Sequence, residues 1–87
     1  MPKGPATNAE IGAMYVYNHT VGLGAEAKGD VLTAEMDELD MQPGTEVVVL
    51  AIDDEGWPIA NWTDSHGIDR NTAIETTTFG NYFDKVG

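Results

Sequence analysis

Apolar residues along this chain fall into short runs divided by turn-forming residues. The clearest is TEVVVLAID (Thr45 to Asp53), a continuous apolar run of the kind buried in a sheet interior. Ahead of it, Pro43 and Gly44 stand between two apolar segments, where proline pre-sets φ and glycine takes a positive φ, so a turn is expected. Behind it, DEG (Asp54 to Gly56) supplies hairpin residues ending on glycine. WPIANWTD (Trp57 to Asp64) is the next strand, and Pro58, which lacks an amide hydrogen, belongs at its start or on an edge. SHG (Ser65 to Gly67) makes a second short turn. In IDRNTAIE, Ile68, Arg70, Thr72 and Ile74 alternate with Asp69, Asn71, Ala73 and Glu75, the period of a half-buried strand. Phe79, Tyr82 and Phe83 then sit at i, i+3 and i+4, so one helical turn lays three rings on one face and plugs the end of a sheet.

The first half is less regular. Residues 1–11, MPKGPATNAEI, hold two prolines, a glycine and few apolar positions, and read as an extended arm ahead of a domain over 12–87. AMYVYNHTV (Ala13 to Val21) is rich in aromatic and β-branched residues and reads as a strand. GLGAEAKGD (Gly22 to Asp30) reads as a loop. VLTAEM (Val31 to Met36) is a weaker strand, with a helix over residues 32–41 as the alternative. No internal repeat is read.

Short strands, tight turns and a terminal helical turn together predict a mostly β fold, a small antiparallel SH3-like barrel of about five strands. Eighty-seven residues make one domain that buries only about 60–65% of its unfolded surface. The apolar content of 41% suffices for one core, and with no cysteine the domain depends on packing. No apolar stretch near the start has signal-peptide length, and the longest run, Val47 to Ile52, is too short to cross a bilayer.

Charge alters the picture most. Fifteen acids face only Lys3, Lys28, Arg70 and Lys85, a formal charge of −11. Nucleic acid and anionic lipid both select for cations, so neither is expected as a direct ligand. The charge serves solubility or attracts a basic protein partner.

Candidate chemistry is sparse. Asp53 to Gly56 and Asp37 to Asp40 lack the ligand spacing of a calcium loop, and the two histidines lie far apart with no cysteine to complete a zinc set. Ser65 is the only serine, and His66 beside it on an extended chain points the other way, so neither activates the other. No phosphate-cradling motif is present. No catalytic residue, metal or cofactor is therefore expected. Of the two tryptophans, five residues apart and hence on opposite faces, one is expected in the core and the other, Trp57, partly exposed at the hairpin. Ringed by Asp53, Asp54 and Glu55, Trp57 would suit a partner that carries arginine. Asp37, Glu38, Asp40 and Asp64 complete the candidate partner-binding set. Arg70 is expected to pair with Asp64 or Asp69, and Met14, Met36 and Met41 to fill the core.

The stretch PGTEVVVLAIDDEGWPIANWTDSHGIDR followed by FGNYF resembles small SH3-like proteins encoded by bacteriophages of actinobacteria. What they share is a proline-glycine turn, a valine strand, an acidic GWP hairpin, a W-T-D strand and a terminal aromatic cluster, here within residues 43–83. The resemblance implies the fold and a phage origin, and carries over no catalytic residue. Two functions follow as expectations. The first is a non-enzymatic virion accessory protein, a decoration or head-associated component that binds a capsid protein. The second is an inhibitor that mimics nucleic acid, since acids on alternate strand residues stand about 6.6 Å apart, near the roughly 6.8 Å spacing of every second phosphate. The virion or the host cytoplasm is the expected location, and a second copy of the chain is a further candidate partner.

Overall fold

The computed structural model describes residues 9–18, 27–30 and 41–86, with residues 28–30 as backbone alone. Residues 1–8 of the arm expected over 1–11, the strand expected over 31–36 and all but the last residue of the alternative helix over 32–41 lie outside the described residues. The rest is one antiparallel six-stranded sheet with a short helix: β1 (Met14–Tyr17), β2 (Ala27–Asp30), β3 (Glu46–Ile52), β4 (Pro58–Thr63), β5 (Asp69–Ile74), α1 (Thr76–Tyr82) and β6 (Phe83–Val86). Spatial order is β2-β5-β4-β3-β1-β6. The strands β3, β4 and β5 form a meander, and β6 returns to pair with β1, Tyr17 opposite Phe83 and Met14 opposite Val86. The expected mostly β fold with a C-terminal helical turn is what the chain adopts.

Strands β1, β3 and β4 alternate because their two faces meet different surroundings, whereas β5 ends in three successive buried residues, Thr72, Ala73 and Ile74. Along β4, Pro58, Ala60 and Trp62 are buried while Ile59 and Asn61 are half-exposed. The inner residues join Tyr15 and Tyr17 of β1, Val47 and Val49 of β3, and Ile74 of β5 in one core. Trp62 lies in it at 4% exposure, and its indole nitrogen donates to the buried Thr72 hydroxyl at 2.9 Å, so neither polar group is stranded. Truncating a ring of this size to alanine costs about 3–5 kcal/mol.

Helix α1 lies against the core. Three threonines and a glycine give it poor intrinsic propensity, and Glu75 offers no side-chain cap. Packing holds it instead. Phe79 meets Tyr15 edge-on at 4.9 Å and stacks on Phe83 at 4.6 Å, while Phe83 reaches Tyr17 at 5.0 Å. At its first turn the Thr76 hydroxyl donates to the Gly56 carbonyl, which ties the helix to the β3–β4 hairpin.

Several expectations need correction. Ala27–Asp30, read as loop, is strand β2, paired with β5. The chain after Tyr82 does not stop at a helical turn but continues as β6. Strand β3 is buried on one face only: Leu50 is 49% exposed and Ile52 38%. Val47 and Val49 face the core while Glu46, Val48 and Leu50 alternate onto the outer face, and the ladder to β4 is irregular at Leu50, between the pairs Val49–Ala60 and Ala51–Ile59. Met14, expected in the core, is 40% exposed, whereas Met41 is fully buried.

Candidate functional site

The two hairpins of the meander are built alike, a repeat the sequence reading missed. Asp53-Asp54-Glu55-Gly56-Trp57 joins β3 to β4, and Asp64-Ser65-His66-Gly67-Ile68 joins β4 to β5. In the first, the Asp53 amide donates to the Trp57 carbonyl (2.9 Å) and the Gly56 amide to the Asp53 carbonyl (2.9 Å). In the second, the Asp64 amide donates to Ile68 and the Gly67 amide to Asp64, both at 3.0 Å. The aspartate side chains repeat the match. Asp53 Oδ1 accepts from the Glu55 and Trp57 amides, and Asp64 Oδ1 from those of His66 and Ile68. Gly56 (φ 86°) and Gly67 (φ 80°) take the left-handed position that closes each loop.

Of the residues expected to bind a partner, Asp53 and Asp64 are thus engaged within their own turns. Asp64 does more: its Oδ2 accepts from Arg70 Nε at 2.9 Å, the ion pair expected for Arg70. The Ile68 amide, with Arg70 and the His66 amide behind it, holds the Asp64 carboxyl below the usual carboxylate range against an opposing push from desolvation. Asp54 and Glu55 are exposed at the β3–β4 tip, and Trp57 beside them is half-buried, on the opposite face from Trp62. Asp37, Glu38 and Asp40 lie outside the described residues.

The outer face of the sheet brings together residues that the sequence reading did not single out. Pairing places Val86, Met14, Val48, Asn61 and Asn71 in one row across β6, β1, β3, β4 and β5. In the adjoining row Val16 stands opposite both Asp84 and Glu46, and Thr63 opposite Asp69. Continuing the β3–β4 register sets Glu46 beside Thr63, so acids recur on every second strand, about 9.6 Å apart. Asp84 accepts from the Asn18 side chain and Asp69 from Asn61, while the Glu46 carboxylate has no hydrogen bond or ion pair among the described residues. The signal was present in the alternation Glu46, Val48, Leu50, hidden by the apolar residues between them.

On the inner side near the top of β1, Lys85 pairs with Glu10 at 3.0 Å, which pushes the Lys85 ammonium pKa up. Among the described residues no three potential ligands converge to hold a metal, and no helix is long and apolar enough to cross a membrane. No family model matches this chain, and neither a curated protein nor a solved structure similar to it was found.

Proposed function

We propose that this chain works by holding another protein, one with a basic surface, and that it performs no reaction of its own. One observation carries the reading. Both hairpin loops use the same Asp and Gly framework, yet only the first puts carboxylates, Asp54 and Glu55, at its exposed tip. The second manages the same turn with Ser65 and His66, so the turn does not need those acids. A turn of the same geometry forms in the second loop without carboxylates at its tip, so negative charge at the first tip suits a basic partner.

The concrete form is a virion accessory protein bound to a capsid component, in keeping with the phage origin that the resemblance implies. Mass spectrometry of purified particles should find the chain there, and its absence from them would remove this form. Capture from host lysate at two salt concentrations tests the electrostatics, with retention expected to fall as salt rises. The mimic of nucleic acid is the second form. Its support is the outer acidic row, although a spacing of about 9.6 Å is wider than the roughly 6.8 Å between every second phosphate. Displacement of a captured partner by DNA would favour it over the virion form.

A further inference from the structure

The outer face contains an open groove of about 460 Å³, lined among others by Met14, Thr45, Glu46, Val48, Asn61 and Thr63. Its chemistry is one-sided. Met14 and Val48, paired across β1 and β3, supply an aliphatic wall. Glu46 brings a carboxylate without a partner among the described residues. The Asn61 amide nitrogen donates toward β5, to Asp69 Oδ1 and Asn71 Oδ1 at 3.0 Å each and to the Arg70 carbonyl at 3.3 Å. Its oxygen accepts from no donor among the described residues. Thr63 adds a hydroxyl on the exposed side. The groove therefore offers acceptors and apolar surface, and no cation lines it.

We infer that this groove receives an arginine side chain of the protein partner, its stem along Met14 and Val48 and its guanidinium on Glu46, Asn61 Oδ1 and Thr63. The inference rests on the binding function proposed above and gives it an address. A flexible stem that buries its methylenes while its head stays polar suits a wall of this kind. Several acceptors on neighbouring strands match the five donors of a guanidinium better than the compact ammonium of lysine. A second copy of the chain is a poor source, because its only arginine, Arg70, is paired with Asp64.

The test is a titration of the isotope-labelled protein with a short peptide of alternating leucine and arginine, followed by amide chemical shifts. A peptide with citrulline in place of arginine keeps the shape and removes the charge. Shifts are expected at Met14, Glu46, Val48, Asn61 and Thr63 with the arginine peptide only. Glu46→Gln should weaken binding several-fold. Thr63→Lys, which sets a cation beside Glu46 in the same chain, should block it, and Ser65→Ala, at the exposed tip of the second loop, should leave it unchanged. Equal binding of the citrulline peptide, indifference to both groove substitutions, or no shift at all would overturn the inference. Shifts gathered at Asp54 and Glu55, with binding lost in Glu55→Gln, would also overturn it while leaving the wider reading of a basic partner intact. Failure of lysate capture at every salt concentration would instead remove that wider reading.

Discussion

The β3–β4 and β4–β5 hairpins are two solutions to one geometric problem, and their differences separate what folding needs from what it tolerates. Both spend an aspartate side chain on two amides and a glycine on a left-handed residue. Beyond that they part. The second loop gives its aspartate a further partner in Arg70, and its following apolar residue, Ile68, is exposed. The first is tied to α1 through Thr76 and is followed by the half-buried Trp57. The shared positions are framework, and the tip residues between them differ in charge.

The comparison breaks most sharply at the aspartates. Asp53→Ala removes two hydrogen bonds and should cost about 1–3 kcal/mol in urea unfolding. Asp64→Ala should lower Tm further than Asp53→Ala, because it also releases Arg70. If the two variants melt together, the ion pair adds nothing. Next comes Gly67→Ala. A Cβ there meets nothing within 4 Å, so its cost is conformational alone, about 1–2 kcal/mol.

Acid titration sharpens the contrast. Folding lowers the Asp64 pKa from its ordinary value of 3.8, so its contribution is whole above that pH and drains away as pH falls through the lower folded value. Asp64→Asn should therefore lose less stability than the parent below about pH 4, and equal slopes would refute the assignment. Salt acts more mildly: with a net charge of −11, Tm should rise from low to moderate ionic strength, whereas a flat response would mean the acids are already compensated. The smallest effect belongs to the tip. Exchanging Asp54-Glu55 for Ser-His should change stability by no more than about 0.5 kcal/mol while reducing capture of a basic partner.

Legibility from the sequence followed the same division. The turn residues at Asp54–Gly56 and Ser65–Gly67 marked the meander, because glycine placement is a local requirement, while the expected alternation along Ile68 to Ile74 gives way to three successive buried residues at its end. The sidedness of β3 was not visible, since its outward Val48 and Leu50 are as apolar as its inward Val47 and Val49. Strand β6 was hidden for a different reason. Phe83 closes an aromatic triplet that also reads as helix, and only its non-local partner Tyr17 makes it extended. Of the site, the tip acids were legible as charge. The groove was not, because Met14, Glu46 and Asn61 come from three strands and meet only through register.

The return of β6 to β1 also bears on how the chain comes off the ribosome. Asn18 and Asp84, which meet at one end of that ladder, are 66 residues apart, and Glu10 and Lys85 are 75 apart. The meander can form from neighbours as it emerges. Strand β1, which lies between β3 and β6, must in contrast wait with one flank bare until residues 83–86 have been made. Closing so long a loop is slow compared with making local hairpins, so the nascent chain passes through an interval in which β1 could pair with a stranger.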